Sequence, residues 1–259
     1  MLWISIKMKF KVIASGSKGN CTIVLCDKTN LIIDMGISYL TLKKSLEENS
    51  LSFTDFSGIL ITHCHNDHIK GLSALLRHTK LNVYIPEEMY ESLKEYVDKD
   101  RCIFIGDKFN INDVNIELIH TSHDTPYSVG FIIEYLNKSL VYVTDTGYIN
   151  RKFLNKMIDK NAYIIESNHD EEMLMDGPYP RFLKERVISD KGHLSNRTTA
   201  SYLKKIIGKN TKIVVLAHLS EKNNTEEKAI EAMHEVGIND KVIIEIAKQY
   251  EELPIIEVQ

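Results

Sequence analysis

The sequence predicts a layered α/β protein in which two strand-rich halves pack as facing mixed β-sheets with helices outside. Three observations carry this. Short β-branched runs bounded by turn residues alternate with helical patterns from end to end. Seven strand-like runs precede residue 121 and five follow it, with helices in both halves. Composition is that of an ordinary globular chain, 43% hydrophobic and 26% charged over 259 residues, which excludes collagen-like, disordered and disulfide-scaffold classes. No linker, low-complexity tract or repeat interrupts the pattern, so residues 1–259 are read as a single domain.

The elements follow in chain order. Alternation of Phe10, Val12 and Ala14 marks a strand over Lys9–Ala14, and the Gly/Ser loop Ser15–Asn20 separates it from Cys21–Asp27. A third strand, Asn30–Asp34, leads to a helix over Ser38–Glu48. The apolar run Gly58–Thr62 is a strand, and Leu72, Leu75 and Leu76 give the helix Ile69–His78 its buried stripe. Val83–Ile85, a helix over Glu87–Lys99, and Cys102–Ile105 complete the first part. Strands then fall at Ile116–His120, Val129–Tyr135, Ser139–Thr144, Ala162–Glu166, Lys212–Ala217 and Val242–Glu245. The intervening helices are Arg151–Asp159, Pro180–Val187, Ser195–Ile207 and Thr225–Val236, with Ser195 or Asn196 as a helix cap.

Charge and cysteine usage narrow the function classes. With 32 Lys+Arg against 36 Asp+Glu the net charge is −4, so any site for a polyanion must be a local patch. Cys21, Cys26, Cys64 and Cys102 form no CxxC pair and are read as free thiols in a reducing, cytoplasmic setting. The apolar run Leu2–Ile6 is too short for a signal-peptide core, and no stretch approaches the roughly 18 apolar residues of a membrane span. Strand alternation begins just after Met8, which points to Met8 rather than Met1 as the native start; N-terminal sequencing that finds Met1 rejects this.

The chemistry lies where strands end. In Thr62-His63-Cys64-His65-Asn66-Asp67-His68, four metal-ligating side chains fall within six residues directly after an apolar strand. On an extended strand end His63 and His65 share a side, while Asp67 and His68 at the start of the next helix can face a second ion. The same alternation aims Cys64 away, as a small hydrophobe. One cluster cannot complete two coordination shells. His123, Asp145 and His218 each follow a strand and are the candidates to close them, and a carboxylate such as Asp145 can bridge two ions. His120, three residues before His123, is read as a neighbour, and His169 as a competitor to His218.

These motifs, preceded by Asp34, resemble the ordered motifs of the metallo-β-lactamase superfamily over nearly the whole chain. Ser15–Asn20, Glu166-Ser167-Asn168-His169-Asp170, Gly177-Pro178-Tyr179-Pro180 and Gly192-His193-Leu194-Ser195-Asn196 further resemble its YycJ/WalJ-type exonuclease group. The resemblance implies an αβ/βα sandwich with its site at one rim. It implies one metal on His63, His65 and His123, a second on Asp67, His68 and His218, and Asp145 bridging, with Asp34 orienting the ligand loop from behind.

Two divalent ions, Zn or Mn by the mixed N/O donor set, would generate a bridging hydroxide and clamp a phosphoryl group. Asp67 and Asp145 would position that nucleophile. His193 is the candidate proton donor to the departing sugar oxygen, and Ser195 or Asn196 at the following helix start could bring amides to a phosphate. Arg181, Lys184, Arg186, Lys191 and Arg197 outnumber Glu185 and Asp190 and form a local positive segment for a nucleic-acid backbone. Ser17 and Asn168, in two of the quoted motifs, join His193, Ser195, Asn196, Arg181 and Arg186 as candidate substrate contacts. The expected function is a metal-dependent phosphodiesterase acting on DNA, a 5′-to-3′ exonuclease by resemblance. The alternatives are a hydrolase of the same superfamily cleaving a small cyclic phosphodiester, thioester or lactone, and a metal-binding regulatory protein without turnover. Retention of Asp67 and Asp145 argues against the last.

Overall fold

The computed structural model describes residues 7–238 and 242–259. Met1 and the run Leu2–Ile6 lie outside the described residues. Two seven-stranded sheets form the frame. The first holds β1 (Lys9–Ala14), β2 (Cys21–Leu25), β3 (Asn30–Ile33), β4 (Phe56–Leu60), β5 (Val83–Ile85) and β6 (Cys102–Phe104). β1 to β3 are antiparallel, and β3 to β6 are parallel. Parallel neighbours need crossovers, which α1 (Tyr39–Glu48), α2 (Asn66–Ile69), α3 (Leu72–His78) and α4 (Tyr90–Leu93) supply.

The second sheet holds β7 (Lys108–Ile111), β8 (Val114–His120), β9 (Val129–Tyr135), β10 (Lys138–Val143), β11 (Ala162–Glu166), β12 (Ile213–Ala217) and β13 (Ile243–Ile246). It begins as an antiparallel meander and continues in parallel from β10 to β13. Its crossovers are α5 (Arg151–Lys156), then α6 (Glu171–Asp176), α7 (Arg181–Ile188) and α8 (Asn196–Ile206), then α9 (Glu226–Glu235). The last strand, β14 (Ile256–Glu257), returns to pair with β1.

Alternation along β9 shows how the layers pack. Phe131 and Ile133 point into a core shared with Phe10 and Ile32 of the first sheet, whereas Ile132 joins a second core with Leu203 of α8 and Met233 of α9. Both faces of the second sheet are therefore covered, as a sheet carrying parallel crossovers requires. Among the described residues, no helix is long and apolar enough to cross a membrane.

The two facing sheets with outer helices match the expected architecture, but the division between them does not fall at residue 121. The chain changes sheets between Phe104 and Lys108, so the run Ile116–His120 belongs to the second sheet. The reason is β7, whose Lys-Phe-Asn-Ile sequence alternates only weakly and which forms by pairing with β8. The helix expected over Glu87–Lys99 is one α-turn after a 3-10 turn, because the amides of Tyr96 and Val97 both close back onto the Leu93 carbonyl. Short α6 and β14 carry too few residues for a periodic signal.

Candidate metal centre

The site is assembled from residues that leave strands at one rim. Asp34 follows β3 with φ 60°, Asp145 follows β10 with φ 56°, and His218 follows β12 with φ 56°. Left-handed backbone at a non-glycine residue costs about 1–3 kcal/mol and persists where surrounding bonds over-determine it. For Asp34 those bonds are visible. Its Oδ1 accepts from the Thr62 amide and its Oδ2 from Thr62 Oγ1, both at 2.8 Å, and Oδ2 also accepts from His68 Nδ1 at 2.7 Å. With Nδ1 so engaged, His68 turns Nε2 towards Asp145 Oδ2 at 3.2 Å and Asp67 Oδ2 at 3.6 Å.

Among the described residues, donor atoms converge in four overlapping groups, each within 4.8 Å: His63, His65 and His123; Asp67, His68 and His218; His63, His68 and Asp145; and Asp145, Glu166, His193 and His218. His65 Nδ1 and His123 Nε2 lie 3.2 Å apart, and His218 Nε2 is 3.4 Å from Asp145 Oδ1 and 3.6 Å from Asp67 Oδ2. The structure thus brings together all seven side chains singled out as metal ligands, from four separate stretches of chain. His120 instead bonds Asp107 at 2.8 Å, Cys64 approaches the Met89 carbonyl, and His169 stands outside these groups.

The donor set fits divalent cations. His63 Nε2, His218 Nε2 and Asp145 Oδ2 are buried without a hydrogen-bond partner among the described residues, a costly state unless something else satisfies them. Burial holds His63 well below the ordinary imidazole range, so it presents the neutral ring a metal needs. Burial also disfavours charge on His68 and His218, but Asp34 and Asp145 for His68, and Asp145, Asp67 and Glu166 for His218, outweigh it and raise both. Burial would raise Asp145, yet His218 and His68 hold it well below the usual carboxylate range. The carboxylates are thus already matched to positive charge, which a divalent cation would provide in place of protons.

Two buried residues inside the quoted motifs carry roles that the sequence reading did not assign to them. Glu166, at the end of β11, is fully buried; its Oε1 accepts from His193 Nδ1 at 2.6 Å and lies 3.2 Å from His218 Nδ1. Its Oε2 accepts from the amides of Thr146 and Leu194, both at 3.1 Å. Burial alone would raise this carboxyl, but His193 and His218 hold it down at about 2. Glu166 ends an apolar strand as Asp145 and His218 do, and that position was the available signal. Asn20 is the second: its amide nitrogen lies 2.9 Å from His68 Nε2, and its backbone N–H donates to the Asp67 carbonyl at 2.8 Å. Ser15, in the same loop, accepts the His218 amide at 2.8 Å. The loop Ser15–Asn20 therefore braces the ligand loops.

A cavity of about 160 Å³ adjoins the cluster, lined by Ser17, Asn168, Tyr179, Arg186, Lys191 and His193 among others. Arg186 is held there by Asp124 through a 2.5 Å ion pair. Arg181 is not in the lining; it is exposed and bonds Glu185. Asn168 spends its amide on the His218 carbonyl at 2.9 Å. Ser195 caps α8, as expected, and its hydroxyl also donates to Glu171 Oε1 at 2.8 Å. Asn196 does not meet this cavity: it is buried, with Oδ1 accepting from Ser167 Oγ at 2.7 Å and Nδ2 donating to Asn224 Oδ1 at 2.8 Å. Its side chain is thus taken up by that closed network, which holds the loop together.

Residues 29–219 match the family described as the beta-lactamase superfamily domain. The chain is 37% identical over 227 residues to exodeoxyribonuclease YycJ of Bacillus anthracis, covering 86% of each chain. It is 35% identical over 231 residues to exodeoxyribonuclease WalJ of Streptococcus pneumoniae, again covering 86% of each. Among solved structures it is similar to the metallo-beta-lactamase fold protein YhfI from Bacillus subtilis, with TM-score 0.73, 17% identity, and coverage of 95% of this chain and 99% of that one. With its ligand motifs on this fold and these relatives over most of its length, the chain belongs to the metallo-β-lactamase superfamily, in the group of the YycJ/WalJ-type proteins.

Proposed function

We propose that this enzyme is a dinuclear metal-dependent phosphodiesterase that degrades DNA from the 5′ end, working as one domain over residues 1–259 in the reducing cytoplasm. The observation that carries the reading is the pair of three-ligand groups meeting at Asp145, beside a cavity lined by Arg186, Lys191 and His193. The names of the two relatives support DNA as the substrate class.

His63, His65 and His123 would hold one ion and Asp67, His68 and His218 the other, with Asp145 shared; the N/O donors suit Zn or Mn. When bound, two such ions act as Lewis acids on a phosphoryl oxygen and bring water towards its conjugate base near neutrality. Asp67 and Asp145 orient the attacking water. Arg186 and Lys191 take the phosphate charge, with Ser17 at the cavity edge. His193, fixed through Nδ1 by Glu166, presents Nε2 to the departing sugar oxygen and gives it a proton. A second reading, hydrolysis of a small cyclic phosphodiester, draws on the modest size of this cavity.

The test uses protein loaded with Mn²⁺ or Zn²⁺ on 5′- and 3′-end-labelled DNA, a cyclic nucleotide and bis-p-nitrophenyl phosphate. Asp67→Ala should lose all cleavage. His193→Ala should lose about 10²–10⁴-fold on DNA but far less on the nitrophenyl ester, whose leaving group departs unprotonated. Undiminished DNA cleavage by His193→Ala removes its role, and turnover of the cyclic nucleotide alone selects the second reading.

A further inference from the structure

A second cavity, of about 310 Å³, lies beside the first, and His193 lines both, so its ring forms part of the partition. The two differ in chemistry. The metal-side cavity carries Lys191 and the pair Arg186–Asp124, whereas the second carries Glu171, 3.6 Å from the Arg197 guanidinium, and the side chains of Met175, Ile188, Ser195 and Thr198. Met175 and Ile188 are 59% and 54% exposed, large apolar groups left facing water at the mouth of a polar site. His169 also lines it, and although only 2% exposed its Nδ1 has no hydrogen-bond partner among the described residues.

We propose that this second cavity binds the base of the nucleotide whose sugar oxygen takes the proton from His193. The assignment rests on the phosphodiesterase reading above. An oxygen within hydrogen-bond reach of His193 belongs to a sugar at the partition, so the base attached to that sugar is carried beyond the ring, away from the metal ligands. Charge separates the two parts of one nucleotide. A phosphate is drawn to Lys191 and Arg186, while a neutral base with amino groups finds an acceptor in Glu171, whose charge Arg197 partly matches, and hydrogen-bonding partners in His169 and Thr198. Met175 and Ile188 supply the apolar contact that a flat base removes from water.

The test compares DNA strands that carry an abasic sugar on one or the other side of the terminal phosphodiester, cleaved by wild-type enzyme and by Met175→Ala/Ile188→Ala. Both residues are exposed, so the variant should fold, and its melting temperature checks this. Rates are expressed relative to bis-p-nitrophenyl phosphate, which has no base. Removing the base on the leaving side should slow the wild type roughly tenfold, and the variant should cleave intact DNA comparably slowly without distinguishing the abasic strand. Equal wild-type rates on intact and abasic DNA, or a variant that still discriminates fully, overturn the assignment while leaving the phosphodiesterase reading intact. Turnover of the nitrophenyl ester with no cleavage of any DNA brings down that reading and this assignment with it.

Discussion

The ring of His193 donates from Nδ1 to Oε1 of Glu166 over 2.6 Å, and the same carboxylate oxygen lies 3.2 Å from Nδ1 of His218. One buried charge thereby sets the tautomer of a ring assigned to a metal and of a ring assigned to the leaving group. Glu166→Gln keeps the shape and removes the charge. We expect metal affinity or DNA cleavage to fall about 10–100-fold, with a smaller loss on bis-p-nitrophenyl phosphate. An equal loss on both substrates with full metal content would leave Glu166 as packing alone.

Asp34 acts on the ligands through Thr62 and His68, receiving three hydrogen bonds at 2.7–2.8 Å. Asp34→Asn replaces an acceptor by a donor towards at least one of them. Metal affinity should drop about 10–100-fold in a competition titration against a chromophoric chelator. Unchanged affinity removes its positioning role.

Gly36 is required by close approach. A Cβ there would sit 1.6 Å from the Asp67 carbonyl oxygen, whereas one at Gly106 meets nothing within 4 Å. Gly36→Ala must push the ligand loop aside and should destabilise the fold by more than about 2 kcal/mol or abolish metal loading, while Gly106→Ala stays within about 0.5 kcal/mol. Thermal melts and bound-metal analysis of the two variants decide it; equal stability refutes the packing argument.

Cations that satisfy buried donors of the native state stabilise it by mass action. Titrating Mn²⁺ or Zn²⁺ into chelator-treated protein should raise the melting temperature, with about 2.7 kcal/mol gained at a hundred times Kd. Asp145→Asn keeps a residue that tolerates positive φ but loses the shared carboxylate, and most of the shift should vanish. A full shift in that variant contradicts a shared Asp145.

Burial pushes His169 down to about 4, with the nearby Glu166 only partly opposing it. The unfolded chain therefore binds a proton between about 6.5 and 4 that the native chain refuses, and native stability falls as pH drops through that window. At about 1.4 kcal/mol for each pH unit crossed, the loss is on the order of 3 kcal/mol over the whole window. In His169→Asn the urea midpoint should decline less between pH 6.5 and 4.5 than in the wild type. Identical pH slopes would falsify this account of His169.

The ligand loop is legible from sequence because its information is local. His63, His65, Asp67 and His68 are tied to one strand end and one helix start, so spacing alone places them on one side. His123, Asp145 and His218 could be read as strand-end candidates, and the resemblance arranged them. Glu166 had the same position but no partner visible in sequence, since His193 lies 27 residues on and the bond depends on where that loop lands. Asn20 and Ser15 read as turn residues until the loop is seen against Asp67 and His218.

Periodicity determined the α/β class and spacing the cluster His63–His68, because strand alternation and short-range spacing are properties of adjacent residues, while the rim position and the full set of seven ligands were implied by the family resemblance. Only tertiary structure decided that β8 joins the second sheet, that Asn196 is locked into the buried amide network, that Glu166 serves two imidazoles, and that His193 lines two cavities of different composition. Those facts depend on which distant backbones meet, and pairing between remote strands and loops is set by packing of the whole chain rather than by the preference of any segment.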